Sequence, residues 1–145
     1  MPRKLTPYIN GELTLDNFIN YIDKCIPGSM RASITSELRY GSVYFLTVKA
    51  GSVIEVDGNL YYFDEDTEGT NASYTVEKIY FYLKYSTGEI IGRTFAPVWS
   101  NQKQGWYGEG GYSSQRYIAV ITLVEAGGEI LKTELMDSIY YESYI

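Results

Sequence analysis

The stretch F-A-P-V-W-S-N-Q-K-Q-G-W-Y-G-E-G-G-Y-S-S-Q-R-Y-I-A-V-I, residues 95–121, decides how the chain is read. It holds both tryptophans, Trp99 and Trp106. Pro97 ends a strand before them, because proline cannot donate to a ladder. The polar run 100–104 between them predicts a turn, and the glycine-rich run 108–114 predicts a loop. Residues 117–124 are apolar enough for a core strand. Two uses of the stretch compete. An aromatic-lined loop is a binding surface, whereas a hairpin whose tryptophans plug a β core is architecture. Truncating a buried tryptophan to alanine costs about 3–5 kcal/mol, so packing is the expected use of Trp99 and Trp106.

Upstream, the apolar period is mostly two. Residues 30–40 alternate Met30, Ala32, Ile34, Leu38 and Tyr40 with polar side chains, which predicts a one-faced strand. Residues 43–49, V-Y-F-L-T-V-K, read as a central strand. Two apolar runs, 53–56 and 60–63, flank Asp57-Gly58-Asn59, a strong hairpin signal because both central turn positions accept positive φ. The run D-E-D-T-E-G-T-N, residues 64–71, is acidic and turn-rich and predicts an exposed loop. Its spacing does not match a calcium loop, so no metal is expected. Residues 74–85 and 89–95 form a long hairpin pair around Ser86-Thr87-Gly88. Residues 129–136 are a last strand or a short helix.

Residues 14–26 differ. Leu15, Phe18, Ile19, Ile22 and Ile26 fall on one helical face, Thr14 is a fair N-cap, and Pro27-Gly28 stops the run. Packed on the domain, this helix is structural; self-associating through Phe18 and Ile22, it is an oligomer contact. The last residues, D-S-I-Y-Y-E-S-Y-I, are aromatic for a terminus, and Tyr140, Tyr141 and Tyr144 are candidates for the same role. The expected fold is mainly β: an antiparallel sandwich or barrel of roughly eight strands with one N-terminal α-helix. It divides into an arm and helix (1–28), a β domain (29–136) and an aromatic tail (137–145).

Composition narrows the chemistry. The chain of 145 residues carries 18 acidic and 12 basic side chains, net charge −6, with no basic cluster. That argues against nucleic-acid binding, which rests on neutralising phosphates. There is no histidine, hence neither the commonest general base nor the commonest metal ligand. The single cysteine, Cys25, excludes an internal disulfide and reads as a small buried hydrophobe. No run approaches the roughly 20 apolar residues of a membrane span, and no signal peptide is read. Gly105, Gly108, Gly110 and Gly111 do not make a phosphate-loop fingerprint. Glu55, Glu77, Glu89 and Glu109 are carboxylates expected on solvent faces of strands. No catalytic residue, metal or cofactor is therefore assigned. What chemistry is left belongs to the 16 tyrosines and the tryptophans. Aromatic rings stack on sugar faces, and Trp99, Asn101, Gln102, Trp106, Tyr107, Tyr112, Gln115 and Arg116 make a candidate set. Within it Tyr107, Tyr112, Gln115 and Asn101 are the expected ligand contacts.

The segment T-F-A-P-V-W-S-N-Q-K-Q-G-W-Y, followed by R-Y-I-A-V-I, resembles a pattern of bacteriophage and prophage tail-fibre-like and virion proteins. There a strand ends at Pro-x-Trp, a polar turn precedes Gly-Trp-Tyr, and Arg-Tyr/Ala-Ile/Leu opens the next strand. The upstream A-G-S-V-I-E-V-D-G-N-L-Y-Y-F resembles a hairpin of such proteins. Residues 50–124 carry the resemblance, and Trp99, Gly105, Trp106, Tyr107, Arg116 and Ile118 match it position by position. Of these, Trp99, Gly105, Trp106, Arg116 and Ile118 are the expected fold-defining residues. The resemblance implies a β-rich virion component, made in the bacterial cytoplasm, often a homotrimer. It is joined to other virion proteins through an N-terminal segment and able to bind host-surface glycans. The chain departs from the fibres in having no long shaft. If the loop binds glycan, Tyr107→Ala or Tyr112→Ala is expected to abolish binding without lowering the melting temperature. A blank across a broad glycan array sinks that reading.

Overall fold

The computed structural model describes residues 2–4, 8–9, 12–13, 30–41, 43–71, 76–125 and 128–135. The expected helix at 14–26, with Phe18 and Ile22, and the tail at 137–145, with Tyr140, Tyr141 and Tyr144, lie outside them.

The described residues are mainly β. Their strands are β1 (Arg3–Lys4), β2 (Tyr8–Ile9), β3 (Glu12–Leu13), β4 (Met30–Arg31), β5 (Ile34–Arg39), β6 (Val43–Val48), β7 (Val53–Val56), β8 (Asn59–Tyr62), β9 (Thr67–Thr70), β10 (Lys78–Lys84), β11 (Glu89–Arg93), β12 (Val98–Ser100), β13 (Gly105–Tyr107), β14 (Gln115–Leu123) and β15 (Ile130–Leu135). A single 3-10 turn, Gly110–Tyr112, interrupts them. Three sheets result. The largest has nine strands in the order β12-β13-β14-β10-β11-β9-β6-β5, with β15 also paired to β14. A four-stranded sheet runs β1-β8-β7-β4, and β2 and β3 make a ribbon.

The hub is β14. One edge pairs with β10 from Lys78↔Thr122 to Lys84↔Gln115. Its other edge is shared, β13 taking Arg116 and β15 taking residues 119–123. The β10 register jumps so that Phe81 faces Ala119 and Tyr82 faces Tyr117, which leaves Ile118 as an extra residue. This bulge turns both Ile118 and Ala119 into the core. That core gathers Tyr44, Leu46 and Val48 from β6, Ile79, Phe81 and Leu83 from β10, Ile121 and Leu123 from β14, and Ile54 and Val56 from β7. The smaller sheet thus packs on the larger one. At the far end of the sheet, β5 lies beside β15, where the Ser36 and Thr133 hydroxyls hydrogen-bond.

Several expectations need correcting. The large sheet is mixed, not antiparallel: β9 and β11 run parallel at Thr70↔Ile91. The second strand of the β10–β11 hairpin lies between β10 and β9 and runs the same way as β9. Half of the acidic run expected as a loop is β9, paired with β6 from Phe45↔Thr70 to Val48↔Thr67. No apolar residue marks this strand; its inward position is Gly69, which is buried. A Cβ there would lie 2.4 Å from Ile90 Cγ2 and 2.7 Å from the Ile90 carbonyl. Asp64 and Glu65 stay exposed. The Asp66 carboxylate is taken by Lys49 Nζ and the Ala50 amide, each donating at 2.8 Å. These donors, the Lys49 ammonium first, hold Asp66 below the usual carboxylate range. The single strand expected over 30–40 divides between sheets. Met30–Arg31 pair with Val53 and Ile54, and Ile34–Arg39 pair with β6. The split is pinned by the Ser33 amide donating to Ser52 Oγ and the Lys49 amide donating to the Ser33 carbonyl. Arg3 and Lys4, in the expected N-terminal arm, form a strand on β8. The Asp57-Gly58 hairpin forms as expected, with φ of 48° and 83° at its two turn residues.

Because the Gly69 site has no room, Gly69→Ala is expected to cost about 1–3 kcal/mol, read from urea unfolding midpoints. Thr70→Ala, exposed on the same strand, is expected to stay within about 0.5 kcal/mol of the parent.

Candidate functional site: an outer aromatic face anchored on a buried arginine

The site begins inside the protein. Inward from β14 points Arg116, fully buried. Its Nε donates to the Glu55 carbonyl at 2.8 Å and its Nη1 to the Tyr117 carbonyl at 2.5 Å. Glu55 on β7 is 1% exposed, and its carboxylate accepts from the Gly58 amide. Tyr107, also 1% exposed, accepts through its hydroxyl from the Asp57 amide at 2.8 Å. The two-residue turn of the smaller sheet is therefore clasped by β13 and β14 of the larger one. Burial pulls the Arg116 guanidinium below its ordinary pKa, with Tyr107 and Glu55 opposing. Burial, reinforced by Glu55, pushes the Tyr107 phenol up to about 12. Among the described residues, every buried side-chain nitrogen and oxygen has a partner.

On the opposite face of β10 and β14 lies a second apolar layer. Tyr82 and Tyr117 are its buried members, and Tyr80, Phe95, Trp106 and Val120 pack on them. Residues 94–97, leaving β11 for β12, lay Phe95 over this layer. The Tyr82 hydroxyl donates to the Phe95 carbonyl at 2.7 Å, and burial raises the Tyr82 pKa. Ring then follows ring toward solvent. Tyr117 and Tyr82 lie 5.8 Å apart, Tyr82 and Phe95 5.3 Å, Phe95 and Tyr112 4.8 Å. Tyr112, the outermost, is 40% exposed. The Arg93 guanidinium sits 4.4 Å from the Tyr112 ring centre and 5.8 Å from that of Phe95, closing a triangle. Its Nε donates to Gln115 Oε1 at 2.9 Å.

The glycine-rich loop is shaped to deliver Tyr112. The Gly108 amide donates to the Gln115 carbonyl, and the Tyr112 and Ser113 amides donate to the Glu109 and Gly110 carbonyls. At Gly108 a Cβ would come within 2.5 Å of Tyr112, so only glycine lets the turn close. Lys103 ties the loop to the tryptophan hairpin, its Nζ donating to the Ser113 carbonyl and lying 4.6 Å from the Tyr107 ring centre.

The candidate ligand contacts therefore separate. Tyr112 and Asn101 are at the surface, Asn101 accepting from Trp99 Nε1 at 3.0 Å. Tyr107 and Gln115 are buried, as is Arg116, and none of the three offers its side chain to a ligand. Gln102 is exposed. The tryptophans do not plug the core: Trp99 and Trp106 are half-buried, facing each other across β12 and β13 at 5.4 Å, edge to face. Alternation explains the error, since the neighbour that does reach the core is Tyr107. Gly105, Arg116 and Ile118 are buried. Glu77, Glu89 and Glu109 are exposed as expected, while Glu55 is not. Arg93 and Phe95 were not among the predicted contacts. Their signal was the connection after β11, which has to cross the aromatic face. Among the described residues, no group of three or more acidic or cysteine side chains could hold a metal, and no helix is long and apolar enough to cross a membrane. No family model, curated protein or solved structure matches the chain.

Arg116→Met is expected to destabilise by about 3–5 kcal/mol, because it leaves buried acceptors and Glu55 without their cation. Tyr107→Phe is expected to cost about 1–2 kcal/mol, one buried hydrogen bond. The raised phenol also sets a pH dependence. The folded state holds the Tyr107 proton to about 12, whereas the unfolded chain releases it near pH 10. Stability is thus full below about pH 10 and falls as pH rises toward 12. Urea midpoints from pH 8 to 12 should show this decline, less steep in Tyr107→Phe, where the raised phenols of Tyr44, Tyr61 and Tyr82 remain.

Proposed function

We propose that this chain is a structural component of a phage-like virion, acting through protein–protein assembly and presenting an attachment surface on its outer aromatic face. The observation that carries the reading is that face: Phe95, Tyr112, Trp99 and Trp106 come to or near the surface on a well-packed second layer. A monomeric domain gains little by holding such rings half-wet, whereas a recognition surface needs them there. The likeness of residues 50–124 to tail-fibre-like and virion proteins supplies the virion context. The β5–β15 contact supports a barrel more than a sandwich. No catalytic role is proposed: Glu55, the buried carboxylate among the described residues, is engaged by the Gly58 amide.

A second reading, a carbohydrate-binding module outside any virion, is favoured by the exposure of Tyr112 beside Phe95. Assembly separates the two. Light scattering of the full chain is expected to give three times the 16.5 kDa protomer mass, and a monomer at every concentration tried overturns the virion reading. Tyr107 is now excluded as a clean probe of glycan binding, since its removal opens the core. Tyr112→Ala is the variant expected to leave the melting temperature in place.

A further inference from the structure

The Arg93 side chain is held in a way that packing does not require. Its Nε is fixed by Gln115 Oε1, and Gln115 is itself 6% exposed. Its Cζ lies over the Tyr112 ring, 4.4 Å from the centre, and 5.8 Å from the centre of the Phe95 ring. Among the described residues, its two terminal nitrogens, Nη1 and Nη2, have no hydrogen-bond partner. The side chain is half-buried, so it is not a freely sampling surface arginine. A guanidinium fixed through Nε and stacked on a ring presents its remaining donors as a planar fork, the shape that matches a carboxylate. The entropy of ordering the arginine is already spent in the free protein.

We propose that the Arg93–Tyr112–Phe95 triangle recognises a carboxylate-bearing sugar, a uronate or sialate residue. The pyranose ring lies on the exposed side of Tyr112 and the carboxylate is met by the Nη donors of Arg93. The inference rests on the glycan-binding reading of the same face and adds the charge of the ligand. A carboxylate fits better than a phosphate because the triangle holds one cation. The lysine of the loop hairpin, Lys103, is committed to the Ser113 carbonyl, so it does not supply a phosphate dianion with a second positive partner. The protein's own net charge of −6 disfavours unspecific attraction of acidic polymers. Recognition then depends on this local fork.

The test uses the full chain on an array of uronate- and sialate-containing oligosaccharides, each printed beside its carboxyl-reduced form. Binding is expected on members of the acidic set and about 10- to 100-fold weaker on their reduced partners, the order associated with one charge-assisted contact. Arg93→Gln is expected to erase that preference. Arg93→Lys, which keeps the charge but not the fork, is expected to weaken acidic binding by about tenfold. Melting curves establish that both variants are folded. Tyr112→Ala is expected to abolish binding of both forms. Equal binding of acidic and reduced sugars, lost in Tyr112→Ala, overturns the acidic inference and leaves the glycan reading standing. Acidic preference that survives Arg93→Gln overturns it too, since the carboxylate is then read elsewhere. A blank array overturns both readings.

Discussion

A guanidinium removed from water ties the two larger sheets together. Desolvating Arg116 costs several kcal/mol unless its donors and its charge are met. Both conditions are satisfied: across the sheet boundary the Glu55 carbonyl takes Nε and the Glu55 carboxylate offsets the charge, while the Tyr117 carbonyl on the same strand takes Nη1. The arrangement fixes relative position as well as energy. A one-residue slip of β7 past β14 would turn the Glu55 carbonyl away and leave a buried cation unpaired. Hydrophobic contacts between Ile54, Val56 and the large sheet tolerate small shifts, but directional donors do not.

The outer aromatic face follows from that anchor. Arg116 and Tyr117 are adjacent on one strand, so placing the first inward places the second outward. Tyr117 then pairs with Tyr82, and Phe95 is laid over both by the chain crossing from β11 to β12. The bulge at Ile118 restores the inward set for the rest of β14, allowing one strand to serve two apolar layers. Tyr112 and Arg93 sit on top of this stack. Their order is inherited from layers below that are buried and hydrogen-bonded, which is the support a surface recognition site needs.

Much of the β architecture was legible along the chain. The Asp57-Gly58 turn, the strands of β6, β10, β11 and β14, and the turn between the tryptophans all follow from period-two patterning and turn chemistry. Where the reading failed, a competing force was at work. The strand β9 has no apolar residue to announce it, because its inward position must be a glycine to admit Ile90. Glu55 looked solvated because nothing local shows that Arg116, 61 positions away, will reach its carbonyl. The tryptophans looked like core because large apolar side chains usually are; here the hairpin register puts Tyr107 inside and Trp106 outside. Of the candidate contacts, Tyr112 and Asn101 reach the surface and Tyr107 and Gln115 do not, a division that depends on which face of each strand meets the second sheet.

Local sequence determined the mainly β character, the positions of most turns and the want of histidine-based or disulfide chemistry, because these depend on a few neighbouring residues or on composition. Tertiary structure alone decided the parallel pairing of β9 with β11, the burial of Arg116 against Glu55, and the triangle of Arg93, Phe95 and Tyr112. Each joins residues from separate strands or loops. Contacts of that kind are set by strand order and by the satisfaction of buried polar groups, and neither is written in any short window of the chain.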